Sequence, residues 1–320
     1  MEEIFDYLSE NIKIEIQKYE QDLKNIEEIR LRIKKPIILK KSDGNKILIH
    51  IVSKEELLET FQKICEQSIY SYQKQICEGF ITIKGGHRVG ITGSAVIEGD
   101  KIININYISS LNFRIAKEKK EVSKDILKYI INNNEIANTL IVSKPGCGKT
   151  TILRDLVRKI STGIEEIGFK AKTCGIVDER GEIAAMYKGT PQNDIGILSD
   201  VMDNVPKSKG MRMLIRSMSP DIIVCDEIGN KDDIEAINYA MTSGVKGIFT
   251  AHGNSLDEII LNNEMKQLLD KNIIETIVFL DEKRRGEIKQ VYKLHKNLKH
   301  KNAMDNSIKE NMGYICITEK

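Results

Sequence analysis

A glycine-bearing loop between an apolar strand and a helix is the part of this chain best suited to chemistry. The segment Thr139–Val142 is apolar, and a helical pattern follows from Ile152. Between them stand Ser143, Lys144, Pro145, Gly146, Cys147, Gly148, Lys149, Thr150 and Thr151. Strand, glycine loop and helix in this order are typical of a P-loop, which binds nucleotide phosphates. We predict that this run of residues binds ATP.

The residue types in the loop match the roles that phosphate binding requires. Gly146 and Gly148 allow backbone conformations that turn N–H groups toward the phosphates. Lys149 is expected to reach the β- and γ-phosphates, and the Thr150 hydroxyl is expected to bind Mg²⁺. Ser143 stands where a P-loop usually has its first glycine, and its small side chain suits the end of a strand.

Two adjacent carboxylates end a second apolar strand, in the segment PDIIVCDE. In P-loop enzymes we expect such a strand to lie beside the P-loop strand. Asp226 would then bind magnesium, and Glu227 would polarise the attacking water.

The same region imitates two GTPase motifs. Residues 226–229 read D-x-x-G, and residues 230–233 read N-K-x-D. In a GTPase these motifs end different strands on different sides of the nucleotide, whereas here they are adjacent. We therefore predict ATP rather than GTP as the nucleotide.

Two further apolar strands end in polar residues, in TCGIVDER and FTAH. Ligands of open parallel sheets bind at the carboxyl ends of the strands. Glu179 is thus a second candidate for activating water, with Asp178 and Arg180 beside it. Thr250 or His252 is a candidate for sensing the γ-phosphate.

Two predicted domains position these residues. Residues 1–118 have the pattern of a small α+β domain, with strands in 26–40 and 80–97 and a helix capped by Ser53. Residues 122–295 alternate helices with apolar strands, which indicates an α/β fold with a parallel sheet. Its predicted strands are 139–143, 173–178, 221–226, 246–251 and 274–280. Residues 296–320 are rich in Lys and Asn and are predicted to form a flexible tail.

The composition argues against a nucleic-acid partner and against secretion. The net charge is only +2, so there is little excess positive charge to attract nucleic-acid phosphates. Only 5% of the residues are aromatic, so few rings are available to stack on bases. The six cysteines include no C-x-x-C pair, so we interpret them as free thiols of a reducing cytosol. The amino-terminal residues are acidic and do not form a signal peptide. The apolar runs are too short to span a bilayer.

Over about residues 10–295 the chain resembles the stage III sporulation protein AA family, ATPases of endospore-forming bacteria related to type II and type IV secretion ATPases. The matching segments are IRLRIKKPI, GFITIKGGHRVGITG, SSLNFRIAKE, PGCGKTTILRDL, GIVDERGEIA, GMRMLIRSMSPDIIVCDEIG and TAHG. The resemblance implies a RecA-like P-loop core and a homo-hexamer. It also implies a place at the cytoplasmic face of the mother-cell membrane, with a membrane protein of an export-like complex as partner.

The resemblance also implies roles for single residues. An acidic box of the secretion ATPases corresponds to Asp178 and Glu179, and a histidine box corresponds to His252. Those enzymes commonly have Gly-Glu where this chain has Asp226 and Glu227. Both Glu179 and Glu227 therefore remain candidates for the base that activates water.

First-domain arginines of the related enzymes approach the γ-phosphate when the domains close. Arg88, in GGHRVG, and Arg114, in LNFRIA, are the candidates for that role here. The glycines around Arg88 suit a tight strand pair, and Arg114 precedes the linker between the domains.

Two other functions remain open on the sequence. A RecA-like nucleic-acid motor is the main alternative, although the near-neutral charge and the few aromatic residues argue against it. A nucleotide-binding scaffold without turnover is the other, but Lys149, Thr150, Asp226 and Glu227 are all present.

Overall fold

The computed structural model describes residues 2–19, 25–294 and 313–318. The chain forms two compact units. The first comprises Met1–Glu118 together with Ala185–Asn193, and the second comprises Lys119–Ala184 together with Asp194–Lys320. A short segment from within the predicted ATPase domain therefore packs as part of the first unit.

The first unit is an antiparallel sheet with helices. Its elements are α1 (Glu2–Phe5), α2 (Glu10–Gln17), β1 (Ile26–Arg32), β2 (Pro36–Lys41), β3 (Gly44–Ile51), α3 (Lys54–Ile64), α4 (Gln73–Cys77), β4 (Phe80–Thr82), β5 (Arg88–Glu98) and β6 (Lys101–Arg114). The strand order is β3-β2-β1-β6-β5-β4. Alternate residues such as Ile29 and Leu31 are buried, because successive side chains of a strand point to opposite faces. The predicted strands of this unit are therefore present.

Helix α3 begins where the sequence placed its cap. The Ser53 side chain accepts from the Glu56 backbone N–H at 3.1 Å, and the Glu56 carboxylate accepts from the Ser53 N–H at 2.8 Å. This capping box satisfies two N–H groups that the first turn leaves without helical partners. The apolar side of the helix, including Leu57, Phe61 and Ile64, is buried in the core of the first unit.

The second unit contains the P-loop. Its elements are α5 (Lys124–Ile130), β7 (Ile131–Asn132), β8 (Glu135–Ile136), β9 (Thr139–Val142), α6 (Lys149–Thr162), β10 (Cys174–Asp178), β11 (Ser199–Asp203), α7 (Lys207–Met218), β12 (Ile222–Cys225), α8 (Lys231–Thr242), β13 (Lys246–Ala251), α9 (Leu256–Leu261), α10 (Asn263–Asp270), β14 (Thr276–Leu280), β15 (Ile288–Leu294) and β16 (Tyr314–Cys316). The five strands predicted for this region are present, with ends within two residues of the predicted ones.

The main sheet has the order β11-β10-β12-β13-β9-β14-β15-β16. The strands from β11 to β14 are parallel, and β15 and β16 add antiparallel pairs. The expectation that the Asp226 strand lies directly beside the P-loop strand is wrong, because β13 pairs with both β12 and β9. The end of β13 thus lies between the phosphate loop and the paired carboxylates.

Part of the segment predicted as a flexible tail belongs to this sheet. Strand β16 pairs with β15, and the buried Tyr314 donates its hydroxyl to the Ile274 carbonyl at 2.5 Å. Burial raises the pKa of Tyr314, and the charge of Glu275 acts in the same direction. Residues 295–312 and 319–320, the remainder of that prediction, lie outside the described residues.

All six cysteines lie in the described ranges, and none forms a disulfide. Within the same ranges, no helix combines the length and the apolar character needed to cross a membrane.

Candidate functional site

The phosphate loop joins β9 to the amino terminus of α6. Gly146 and Gly148 have φ values of +79° and +98°, in the left-handed region that glycine adopts without steric cost. A Cβ on Gly146 would meet no atom within 4 Å, so the loop requires this glycine for its backbone conformation rather than for space. The loop ends at the amino terminus of α6, where the helix dipole favours a bound anion.

Lys149 is buried at the first position of α6. Its Nζ donates to the carbonyls of Ser143 at 2.9 Å and Lys144 at 3.2 Å, and lies 3.2 Å from Nδ1 of His252. Burial lowers the pKa of Lys149, while the charges of Asp226 and Glu227 oppose that shift. An ammonium group is therefore held inside the loop, near the carboxylates of Asp226 and Glu227.

The other loop residues differ in exposure. Ser143 and Cys147 are buried, and the Cys147 carbonyl accepts from the Gly286 N–H at 3.1 Å. Lys144 points outward and pairs with Glu282 at 2.9 Å. Pro145 is exposed, and Thr151 lies within α6.

Thr150, at the start of α6, meets Asp226, which follows β12, although the strands that lead to them, β9 and β12, are not neighbours in the sheet. The Thr150 hydroxyl donates to Oδ2 of Asp226 at 2.6 Å. The other carboxylate oxygen of Asp226 accepts from the hydroxyl of Thr250, on the intervening strand β13. The hydroxyl and the carboxylate are thus placed together by three strand ends of one sheet.

This pair fits the magnesium that a P-loop implies. Both side chains offer oxygen atoms, which are the donors Mg²⁺ prefers, and Mg²⁺ usually takes its remaining ligands from phosphates and water. In the described part of the chain, no group of three or more His, Cys, Asp or Glu side chains is arranged to hold a metal ion.

Glu227 is held at both its backbone and its side chain. Its φ is +50°, in the left-handed region, and its N–H donates to Oγ1 of Thr250 at 2.8 Å and to Oδ1 of Asp226 at 3.0 Å. Its carboxylate accepts from Arg180 at 2.7 Å and lies 3.1 Å from Nε2 of His252. The two ring nitrogens of His252 thus face opposite groups, Nδ1 the Lys149 ammonium and Nε2 the Glu227 carboxylate.

Glu179 and Asp178 have different surroundings, although they are adjacent. Glu179 pairs with Nζ of Lys207 at 2.8 Å. Burial alone would lower the pKa of Lys207, but the hydrogen bond and charge of Glu179 outweigh it and raise that pKa. Glu179, Lys207 and Glu227 line one small cleft in the second unit.

The buried Asp178 carboxylate organises the following loop. It accepts from the backbone N–H groups of Glu182 at 2.7 Å, Ile183 at 3.1 Å and Ala184 at 2.8 Å. These bonds fix the chain after β10, so the arrangement gives Asp178 a structural role.

The N-K-x-D sequence caps a helix. The Asn230 side chain accepts from the Asp233 N–H at 2.9 Å at the start of α8, and burial raises the pKa of Asp233. The Asp233 side chain in turn accepts from the Gly229 N–H at 3.4 Å, so both side chains hold the turn that starts α8.

Arg88 and Arg114 belong to the first unit. They are direct partners across the β5–β6 pair and therefore share one face of its sheet. The Arg88 guanidinium lies over the Phe80 ring, 4.6 Å from its centroid, and Arg114 is exposed. The other predicted site residues lie in the second unit.

Several contacts of the site were not predicted from the sequence, among them three that involve its carboxylates. The Thr250 hydroxyl binds Asp226, Arg180 binds Glu227, and Lys207 binds Glu179. The position of Arg180 just after a strand end did indicate that it would lie at the site. Lys207 had no such indication, because it begins a helix nearly thirty residues after Glu179 in the sequence.

Comparison with known proteins gives both a family and a fold. The model of the family "Sporulation stage III, protein AA" matches residues 1–298. The stage III sporulation protein AA of Bacillus subtilis (strain 168) is 36% identical over 294 residues, covering 91% of this chain and 95% of that protein.

Two solved structures are similar in fold. The ATPase DotB of Legionella pneumophila has a TM-score of 0.56 at 15% identity, covering 88% of this chain and 80% of its own. The pilus retraction motor PilT, solved with bound ADP, has a TM-score of 0.56 at 16% identity, covering 82% and 77%. The predicted fold, a P-loop core of the RecA-like kind preceded by a small α+β domain, is confirmed.

Proposed function

The chain belongs to the Sporulation stage III, protein AA family, and we propose that it is a Mg²⁺-dependent ATP hydrolase that energises an export-like complex during endospore formation. The observation that carries the proposal is the grouping of Lys149, Thr150, Asp226 and Glu227 at one edge of a parallel sheet. Lys149 and Glu227 both contact His252, and Thr150 contacts Asp226. A phosphate-binding cation, a metal-binding oxygen pair and a carboxylate base are the groups that ATP hydrolysis requires.

Each side chain has a step that its position allows. Lys149 exchanges its loop carbonyl partners for the β- and γ-phosphate oxygens. Thr150 and Asp226 would hold Mg²⁺, which would neutralise negative charge on those oxygens. Glu227, oriented by Arg180 and His252, takes a proton from the attacking water.

Glu227 is favoured over Glu179 as the base. Glu179 is committed to the ammonium group of Lys207, of whose side chain only 11% is exposed. Removing Glu179 from that pair would leave a mostly buried charge without its partner. Glu227 faces partners that are themselves more exposed, Arg180 at 62% and His252 at 47%, so its carboxylate can turn toward a water without leaving a buried charge unpaired.

The proposed assembly is a homo-hexamer at the cytoplasmic face of the mother-cell membrane, with a membrane protein as its partner. Family membership supports this part of the proposal, and the fold shared with the DotB ATPase and the PilT motor is consistent with it. Hydrolysis in a ring would be converted into movement of the first unit relative to the second.

The experiment that tests the proposal measures ATP hydrolysis against protein concentration, with the particle mass measured in the same samples. We expect activity with Mg²⁺, loss of activity with excess EDTA, and a rise in specific activity as the ring forms. Lys149→Ala should nearly abolish hydrolysis and weaken nucleotide binding. Lys266→Ala is the control, because this exposed lysine pairs with Asp270 in α10, outside the phosphate loop, and should keep wild-type activity.

Two outcomes would contradict the proposal. Wild-type turnover by Lys149→Ala would place the phosphate site elsewhere. Stimulation by single-stranded DNA or RNA that disappears as salt rises would favour a nucleic-acid motor, which the net charge of +2 does not lead us to expect.

A further inference from the structure

The hydroxyl of Thr250 stands at the centre of the site. Thr250 lies on β13, the strand between the P-loop strand and the strand that leads to Asp226. Its side chain is fully buried. A buried hydroxyl needs hydrogen-bond partners, so its contacts define what it does.

The hydrogen bonds of this hydroxyl have a definite direction. The backbone N–H of Glu227 can only donate, so the Thr250 oxygen accepts from it at 2.8 Å. The hydroxyl proton is then donated to Oδ1 of Asp226. The hydroxyl proton of Thr250 is therefore engaged by Asp226, and one of its oxygen lone pairs is engaged by the Glu227 backbone.

The bond to Glu227 also holds an unfavourable backbone conformation. Glu227 has a φ of +50°. This conformation is unfavourable for a residue with a side chain, and it persists only where the surrounding contacts impose it. The Glu227 N–H is fixed by Thr250 and by the Asp226 carboxylate together. Without the hydroxyl, both the turn at Glu227 and the rotamer of Asp226 lose a restraint.

We propose that Thr250 is a positioning residue of the hydrolysis site, whose buried hydroxyl orients the metal-binding carboxylate of Asp226 and the backbone of Glu227 at the same time. The inference rests on the proposed ATPase function and deepens it. It assigns Thr250 a role through Asp226 and Glu227 rather than a contact with the γ-phosphate.

The test compares Thr250→Val, which keeps the shape and removes the hydroxyl, with Thr250→Ser, which keeps the hydroxyl. For the valine variant we expect kcat to fall about 10- to 100-fold, as for loss of a hydrogen bond to a charged group. Its KM for ATP should change by less than about threefold, because Lys149 and the loop are untouched. Thr250→Ser should keep kcat within about threefold of wild type.

A second measurement does not depend on turnover. The binding of a fluorescent ADP analogue is titrated with Mg²⁺, and Thr250→Val should need a higher Mg²⁺ concentration than wild type and Thr250→Ser. Thr139→Val is the matched control, since its buried hydroxyl donates to the Ala137 carbonyl at 2.7 Å, at the opposite end of the sheet. It should leave kcat and the Mg²⁺ requirement unchanged.

The outcomes separate this inference from the proposed function. If the wild type binds nucleotide but does not hydrolyse ATP, the proposed function fails, and the Mg²⁺ titration still tests Thr250. A folded Thr250→Val with wild-type kcat and Mg²⁺ requirement would overturn the inference. So would a serine variant as impaired as the valine variant, since the methyl group would then be responsible. If Thr250→Val does not fold, Thr250→Ala replaces it with the same expectations.

Discussion

Arg180 donates a hydrogen bond of 2.7 Å from its guanidinium to the carboxylate of Glu227. The two residues follow the neighbouring parallel strands β10 and β12, so the bond joins two strand ends at the edge where the phosphate loop lies. The Arg180 side chain is 62% exposed and that of Glu227 is 25% exposed. The contact is therefore of little value for stability, and its importance lies in where it holds the carboxylate.

We predict that Arg180→Gln lowers kcat about fivefold and leaves the melting temperature nearly unchanged. An exposed ion pair contributes up to about 1 kcal/mol of free energy. Where that free energy orients the Glu227 carboxylate for the reaction, its loss corresponds to about a fivefold fall in rate. Steady-state kinetics and thermal melting provide the two measurements. Lys266→Gln, which breaks an exposed pair with Asp270 in α10, is the control and should change neither. An unchanged kcat for Arg180→Gln would show that Arg180 does not orient Glu227 for the reaction.

Glutamine substitutions distinguish the two candidate bases. Glu227→Gln should bind ATP and Mg²⁺ but lose about 100-fold or more in turnover, because an amide does not accept the proton of the attacking water. Glu179→Gln should mainly destabilise the protein, by about 1–3 kcal/mol, since Lys207 loses its charged partner. Single-turnover hydrolysis and urea unfolding measure the two effects. If only Glu179→Gln stalls with ATP bound, the roles are exchanged.

Arg88 and Arg114 are predicted to act in turnover. Arg88→Ala and Arg114→Ala should each lower turnover by about 10³-fold while ATP binding is largely retained, as for an arginine that stabilises the charge of the transition state. We propose this role because the sequence resemblance to the secretion ATPases implies it and because the two arginines share one face of the β5–β6 pair. Turnover is measured at concentrations where the wild type assembles, with melting curves to verify folding.

The control for this pair is Arg32→Ala. Arg32 lies on β1 opposite Ser110, four residues along β6 from Arg114, and so shares the same sheet face. A loss of activity equal in all three variants would indicate a general effect of positive charge on that face. Full activity of both the Arg88 and Arg114 variants would make these arginines structural.

His87 predicts a pH dependence of stability. Burial lowers its pKa from the ordinary value of 6.5, and its Nδ1 accepts from the Ala116 N–H at 3.0 Å. The folded state therefore takes up the proton less readily than the unfolded state. Stability should be fully present above about pH 6.5 and should fall as the pH drops toward the lower folded-state pKa, by at most about 1.4 kcal/mol per pH unit.

The measurement is urea unfolding between pH 5 and 8, comparing the wild type with His87→Asn. The asparagine oxygen replaces Nδ1 as the acceptor but does not titrate, so the variant should lose less stability on acidification. Parallel pH profiles for the two proteins would show that His87 is not responsible for the slope.

The sequence by itself determined the local features, because the residues that encode them act within a few positions. Gly146 and Gly148 take left-handed backbone conformations that other residues avoid. Ser53 and Glu56 form a capping box from their own spacing. The five apolar strands of the second unit were likewise predictable, since a buried parallel strand is apolar on both faces.

The tertiary structure decided which strand ends meet. The residues of apolar strands such as β12 and β13 do not indicate which strands pair with them. The position of β13 between β12 and the P-loop strand β9 was therefore not predictable from the sequence. That strand order brings Thr250 to Asp226 and His252 to Lys149. The pairing of β10 with β12 likewise brings Arg180 to Glu227. The packing of helix α7 against β10 brings Lys207 to Glu179. The sequence determines which side chains stand at the strand ends, and long-range backbone pairing determines which of them touch.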